Sequence, residues 1–577
     1  MKAVAQLKRP THRFGTLLLS LMTLCVFLTS SAPDRVVAEE ATSSQPVVFA
    51  TATIAGSDAL WSGAEQIAAA MKYREIIQVG RSLLKSQLKV DALDPSQPLG
   101  IALATDGSTV AAFGYVPFKP GEKLELAAIE AIKDSIKNLD KNNLFKGDFY
   151  TLGNTLIIGL ANQKNLVSAI PAEKYQTLSQ TENLTTLMQI NVNVEALPNE
   201  LLEAGASLIR QKLASQLSEE SPDEIQNIEQ ALNKYNELAE SVSSLQWSLT
   251  VDGDANLSSK VQLSLKPTSK LASSVEKSFN APTRWNAVYS TPNAIYASAQ
   301  ASDNSDLVVK SDIASTRKAL NENMLRSLDV LVDDPNNLEI AKEIVSNLAD
   351  AIIADAQSGV ADSGLALCAD PLMLVATSTT SSSAALEKAT KILSDRLQKE
   401  FPELGDSMTT ESIEGYNVLA FELPFRKISS DLPDYLAKKS FAAKIGYSDD
   451  AAVFIAGFDE AAIKEEFQRV AIGGKETGAQ PHASVVDAAQ IAKVVQSILA
   501  TCEDVRPVAA KSVASLANAQ DATIVSKENF ADDMLTFEFT ISHGLFAAAG
   551  DVIRLNLIKT GNGDEGQDLD DLFDDEE

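Results

Sequence analysis

Gly100 to Asp106 reads GIALATD, and Gly364 to Asp370 reads GLALCAD. Both stretches are apolar and end on an aspartate, and a turn-forming residue follows each of them, Gly107 in the first and Pro371 in the second. A second strand-like stretch comes next in each half, TVAAFGYV and LMLVATS. Two such stretches joined by a short turn are typical of a β-hairpin, so the sequence predicts one hairpin in each half of the chain.

The similarity between the two halves extends beyond the hairpins. An amphipathic helical pattern follows each hairpin, KLELAAIEAIKDSI from Lys123 and AALEKATKIL from Ala384. Both halves finish on two polar-alternating strands, LQWSLTV and SKVQLSL in the first, DATIVSK and MLTFEFTIS in the second. Three further pairs of strand-to-helix segments occur in the same order: Phe49 to Leu60 with Tyr296 to Leu307, Leu156 to Leu166 with Val453 to Ile463, and Val192 to Leu197 with Val486 to Ile491.

Several matches in one order predict an internal repeat, with 47–280 as the first α+β unit and 285–556 as the second. The alternative is two unrelated α/β domains whose patterns coincide. The segment APTRWN, Ala281 to Asn286, is the expected join. Asn162 and Asp459 are candidate N-caps for the helices that follow them. Alternating strands such as LMQINVNV favour a mainly antiparallel sheet in each unit, with helices packed on one face.

The first 38 residues read as a secretory signal peptide. Basic residues precede an apolar stretch from Phe14 to Leu28, and the small residue Ala38 offers a cleavage site. The alternative is an uncleaved anchor, although 15 apolar residues are short for a membrane span. We therefore expect an exported protein, periplasmic or extracellular, with no stable membrane span after signal cleavage.

The chain has 577 residues and a net charge of −29. Cleavage after Ala38 would remove five basic residues and one acid, which makes the net charge of the exported chain −33. Nucleic acid is an improbable partner, because phosphate binding requires a basic face. The segment 557–577 is expected to be an acidic, disordered tail, since from Asp564 it carries nine acids and no bases.

Little in the sequence predicts catalysis. After signal cleavage only His482 and His543 remain as histidines, and neither lies near a nucleophile motif. The chain lacks the His and Cys spacings of zinc sites, so we predict no catalytic, cofactor-binding or metal-binding residues and no cofactor. Cys368 and Cys502 would be the two remaining cysteines, and they could form a disulfide or be two separately buried thiols.

The layout of an exported chain with repeated strand-and-helix units resembles bacterial exported proteins of unknown function built from tandem α/β repeats. This resemblance covers most of the exported chain and is architectural. It implies no activity, no cofactor and no site residues.

The leading hypothesis is a non-catalytic binding or scaffold protein whose partner is an exported or cell-envelope protein or a ligand. One alternative is a carboxylate-dependent hydrolase of an extracellular polymer, which would need two buried acids about 5–9 Å apart in an open cleft. Another alternative is a soluble carrier of an apolar ligand, which would need a deep apolar pocket.

Overall fold

The computed structural model describes residues 45–75, 77–78, 81–82, 94–107, 109–119, 147–152, 154–160, 163–171, 185–198, 201–203, 206–207, 211, 236–303, 305, 335–380, 383–400, 408–424, 440–500 and 507–560. Several features expected from the sequence lie outside these residues: the signal peptide, the acidic tail, the helix from Lys123, the N-cap Asn162 and the second cysteine, Cys502.

The described residues belong to two compact units. Unit 1 falls within 45–66, 74–253 and 259–269, and unit 2 falls within 67–73, 254–258 and 270–560. Both units mix helices and strands, and all the strand pairs given below are antiparallel. The predicted α+β class with antiparallel sheets is therefore confirmed.

The elements that lie wholly or mostly in unit 1 are β1 (Val47–Ile54), α1 (Ser57–Ala70), β2 (Leu99–Thr105), β3 (Val110–Pro117), β4 (Gly147–Leu152), β5 (Thr155–Leu160), α2 (Lys164–Ser168), β6 (Thr186–Asn193), a 3-10 turn (Val194–Ala196), β7 (Val242–Val251) and β8 (Leu257–Leu265). The paired strands follow the order β4–β5–β3–β2–β1–β6–β7. Side-chain hydrogen bonds such as that from Trp247 Nε1 to Ser259 Oγ, at 3.0 Å, join β7 to β8.

The predicted hairpin of the first half is the β2–β3 pair. Gly107 has a φ of 92°, a left-handed conformation that glycine adopts without strain. The Asp106 carboxylate accepts a hydrogen bond of 2.8 Å from the backbone N–H of Thr109, which closes the turn. The buried alanines Ala102 and Ala104 face Val167 of α2, so this helix covers one face of the hairpin.

The elements of unit 2 are α3 (Lys270–Phe279), α4 (Asn286–Tyr289), β9 (Ala294–Asp303), α5 (Pro335–Ser358), β10 (Val360–Ala369), β11 (Leu372–Thr379), α6 (Ser383–Glu400), β12 (Met408–Ile413), β13 (Tyr416–Pro424), β14 (Ser440–Tyr447), β15 (Ala451–Gly457), α7 (Glu460–Gly473), β16 (Ala483–Asp487), α8 (Ala488–Leu499), α9 (Pro507–Ala517), β17 (Thr523–Ala531), β18 (Met534–Ile541) and α10 (His543–Thr560). The paired strands follow the order β12–β13–β14–β15–β11–β10–β9–β16–β17–β18.

Helices lie on both faces of the unit 2 sheet. On β14, Gly446 faces α7 so closely that a Cβ there would lie 2.4 Å from the Phe467 ring. The next residue, Tyr447, points to the opposite face, where its hydroxyl bonds Thr390 of α6. The expectation that helices pack on one face is therefore wrong for unit 2, because β14 has buried residues on both faces and each face needs a cover.

Some strands of unit 1 and unit 2 have a similar order of neighbours. β1 and β9 are each flanked by the first strand of the hairpin on one side and by β6 or β16 on the other. The second hairpin strand pairs with β5 in unit 1 and with β15 in unit 2. Ala102 and Ala366 are both fully buried, whereas their neighbours Ile101 and Leu365 are 56% and 40% exposed.

Two local expectations need correction. The segment after β6 forms the 3-10 turn Val194–Ala196 where the pattern predicts a longer helix. The Asn193 side chain accepts a hydrogen bond of 3.3 Å from the N–H of Ala196, and this bond favours a tight turn. The strand-like stretch MLTFEFTIS also predicts that His543 ends a strand, but His543 begins α10, two residues after β18 ends.

Candidate binding pocket

A pocket of about 160 Å³ lies in unit 2, where the first turn of α7 faces strands β12, β13 and β14. Strand and helix residues both contribute to its wall. The lining residues are Thr409, Ala420, Phe421, Glu422, Ala442, Ala443, Lys444, Glu460 and Ile463.

The sheet register explains why there is space in the wall. Thr409 pairs with Ala420, and Ala420 pairs with Lys444, so these three side chains form one row across the strands. Glu422 pairs with Ala442 in the next row on the same face. The two alanines at the middle of these rows leave a depression, and the longer polar side chains stand around it.

Lys444, which lines the pocket, belongs to an ion pair. The Lys444 ammonium bonds the carboxylate of Glu411, which lies two residues from Thr409 on the same face of β12. The Lys444 side chain is only 6% exposed, whereas Glu411 is 35% exposed. A buried ammonium needs an anionic partner because desolvation penalises its charge, so Glu411 is what allows Lys444 to lie here.

The start of α7 forms one side of the pocket. The Asp459 carboxylate accepts a hydrogen bond of 3.0 Å from the backbone N–H of Ala462, which confirms the predicted N-cap. Ile463 is buried on the sheet and fixes the approach of the helix, while Glu460 stays exposed at the pocket rim.

The charges around the pocket do not cancel. The wall contains one cation, Lys444, and two carboxylates, those of Glu422 and Glu460. Lys444 is paired with Glu411, which does not itself line the pocket. Among the residues the structure describes, neither Glu422 nor Glu460 has a cationic partner within ion-pair distance. The pocket therefore combines apolar groups with an excess of negative charge.

Helix α7 carries a further ion pair, between Arg469 and Glu466, which the sequence did not reveal. Arg469 donates two hydrogen bonds to the Glu466 carboxylate, and the Thr291 hydroxyl donates a third at 3.0 Å. The Arg469 guanidinium also donates a hydrogen bond of 2.7 Å to the carbonyl of Ala287. These bonds satisfy the buried carboxylate and tie α7 to α4.

The expected join APTRWN lies inside unit 2 and is tied to β10 by a buried carboxylate. Asp362 accepts hydrogen bonds from the Thr283 hydroxyl at 2.6 Å and from the Arg284 N–H at 2.9 Å. Its backbone carbonyl accepts a third from the Trp285 indole at 3.2 Å. Burial raises the pKa of Asp362, while the two donors partly oppose that rise.

Cys368 packs in the main core of unit 2, on the face of β10 that α7 covers. Burial raises the pKa of its thiol to about 11, which leaves little nucleophilic thiolate at neutral pH. Its pairing with Cys502 stays a prediction, since Cys502 lies outside the described residues.

The two histidines occupy different places in unit 2. The His482 ring stacks on Phe279 at 3.5 Å, and its carbonyl accepts a hydrogen bond from Glu528 on β17. His543 follows Ser542, which bonds Thr523 at the start of β17. Glu528 and Thr523 are five residues apart, which corresponds to roughly 17 Å along a strand. The structure does not bring the histidines together.

One sequence signal could have indicated the ion pair of Lys444. Lys444 is a lone charge in the apolar strand SFAAKIGY, and a lysine on a buried strand face requires a carboxylate nearby. Its partner could not be identified, because Glu411 lies 33 residues earlier on a strand two positions away.

The described part of the chain contains no cluster of three or more His, Cys, Asp or Glu side chains suited to a metal ion. None of its helices combines the length and apolar character that a membrane span requires. Comparison of the chain with protein-family models, with curated proteins and with solved structures gives no match.

Proposed function

We propose that this chain is an exported, non-catalytic binding protein that holds a small molecule in the pocket at Lys444. Export is inferred from the basic and apolar segments of the first 38 residues. The binding role is inferred from the pocket.

The observation that carries the proposal is the origin of the pocket wall. Within the described residues, β12 and β13 have no counterpart in the strand order of unit 1. Thr409, Ala420, Phe421 and Glu422 of the wall come from these two strands. Binding sites are commonly built on elements that vary around a scaffold, so a hairpin that supplies much of a pocket wall favours a binding role.

The shared strand order also supports the internal repeat. We infer that one α+β unit is used twice, within 47–280 and 285–556. The equivalent positions of GIALATD and GLALCAD next to β1 and β9 favour this inference over two unrelated domains.

Groups that often serve catalysis are engaged in packing here. The buried carboxylates of Asp362 and Glu466 accept hydrogen bonds from neighbouring donors, and the Cys368 thiol lies in the core. These contacts favour structural roles for all three residues.

A ligand-observed NMR screen of small polar molecules against the chain from residue 39 onward would test the proposal. We expect weak binders whose signals no longer respond when Ala420→Leu fills the pocket floor. Ala461→Leu is the matched control, because Ala461 is exposed on α7 and does not line the pocket. Binding that survives Ala420→Leu in a folded variant, or turnover of a bound molecule, would contradict the proposal.

A further inference from the structure

The charge and the volume of the pocket indicate a class of ligand. We propose that the pocket takes a small organic cation, a primary aliphatic amine in its ammonium form. This inference rests on the proposed function and names the ligand class for the same site.

The positive charge of the proposed ligand follows from the charges on the wall. Lys444 is already paired with Glu411, so this pair adds no net charge. Glu422 and Glu460 then leave the wall with two negative charges, and a net charge of −29 on the whole chain adds to the attraction for cations. An anionic ligand would meet these two carboxylates and would have to compete with Glu411 for Lys444.

The rest of the wall favours a cation with an aliphatic stem. Ala420, Ala442 and Ile463 contribute methyl and methylene groups to the same wall. A hydrated metal ion would gain nothing from these groups, and the wall supplies fewer ligands than a metal usually takes. A short alkyl chain would bury its apolar surface there while the ammonium contacts the carboxylates.

The volume limits the length of the stem. The cavity volume is about 160 Å³. This is below the usual range for drug-sized ligands, about 300–1,000 Å³. n-Butylammonium suits this space, and n-butyrate is a probe of similar size with the opposite charge.

Isothermal titration calorimetry with these two probes tests the inference on the chain from residue 39 onward. We expect n-butylammonium to bind, and n-butyrate to bind at least tenfold more weakly. Glu422→Gln and Glu460→Gln should each weaken n-butylammonium binding by about fivefold, the effect of a partly exposed charge pair. Glu465→Gln is the matched control, because Glu465 is exposed on the same helix and does not line the pocket.

The outcomes separate this inference from the proposed function. Equal or tighter binding of n-butyrate, lost in Ala420→Leu, would overturn the ligand class and leave the pocket as a binding site. Binding of n-butylammonium that Glu422→Gln and Glu460→Gln do not weaken would also overturn the class. If neither probe binds and the NMR screen finds no binder sensitive to Ala420→Leu, the proposed function fails as well.

Discussion

Arg469 and Glu466 lie one turn apart on α7 and are joined by two hydrogen bonds, one of them 2.7 Å from Nε to Oε2. The carboxylate of Glu466 is buried, whereas the Arg469 side chain is 31% exposed. A pair of this kind stabilises mainly by compensating a charge that burial would otherwise penalise.

Removal of one partner should therefore cost more than removal of both. We expect Arg469→Met to lower the free energy of unfolding by about 2–4 kcal/mol, because it leaves the buried carboxylate without its cation. The double variant Glu466→Met with Arg469→Met should lie within about 1 kcal/mol of the parent protein. Urea denaturation measures both, and a double variant as unstable as the single one would contradict this account of the pair.

Replacement of Glu411 should destabilise the protein more than replacement of its partner Lys444. Glu411→Gln leaves the buried ammonium of Lys444 without an anion, and we expect a loss of about 3 kcal/mol. Lys444→Met leaves Glu411, whose side chain is 35% exposed and can be hydrated, so the expected loss is about 1 kcal/mol or less. Glu414→Gln, which breaks the exposed pair with Lys475, is the control and should cost less than about 1 kcal/mol. Equal losses for Glu411→Gln and Lys444→Met would argue against a buried ammonium.

His482 should make the stability of the protein depend on pH. Burial lowers the pKa of His482 below its ordinary value of 6.5, so the unfolded chain binds more protons than the folded one. The free energy of unfolding should then fall as the pH drops through about 6.5, by no more than about 1.4 kcal/mol per pH unit for this group.

Denaturation between pH 8 and pH 5.5 checks this expectation. His482→Asn removes the titrating group and tolerates the φ of 47° at this position. The difference between the parent and this variant isolates His482 from carboxyl groups that titrate at lower pH. An identical pH dependence in both proteins would contradict the expected role of the stacked ring.

The inferred repeat predicts matched responses at matched positions. Ala102→Leu and Ala366→Leu should each destabilise the protein by about 1–3 kcal/mol, because both alanines are fully buried. Ile101→Thr and Leu365→Thr should each cost no more than about 1 kcal/mol, because both side chains are largely exposed. Denaturation midpoints of the four variants test the pairing, and opposite responses within a pair would count against the repeat.

Local patterns predicted the strands and hairpins because their causes are local. The alternation in LMQINVNV and the Asp106–Gly107 turn are readable within a few residues, and β6 and the β2–β3 pair form there. The same holds for Asp459, whose side chain caps the helix that begins one residue later. In contrast, periodicity does not say which face of a sheet a helix will cover. This is why the expectation of helices on one face is wrong for unit 2.

The pocket could not be predicted for a related reason. Thr409, Ala420 and Lys444 meet only because three strands pair in one particular register. Their separation along the chain gives no signal of that register. The net charge of the pocket also depends on which carboxylate pairs with Lys444, and the tertiary structure determines that pairing.

The most direct test of the central claim, that this pocket binds a small organic cation, is an NMR titration of alanine methyl groups with n-butylammonium. The methyl groups of Ala420 and Ala442 form the pocket floor, whereas Ala102 lies in the core of unit 1. We predict saturable shifts of the Ala420 and Ala442 methyl resonances, with the Ala102 resonance unchanged. Ala420 and Ala442 resonances that stay unchanged throughout the titration would contradict the account.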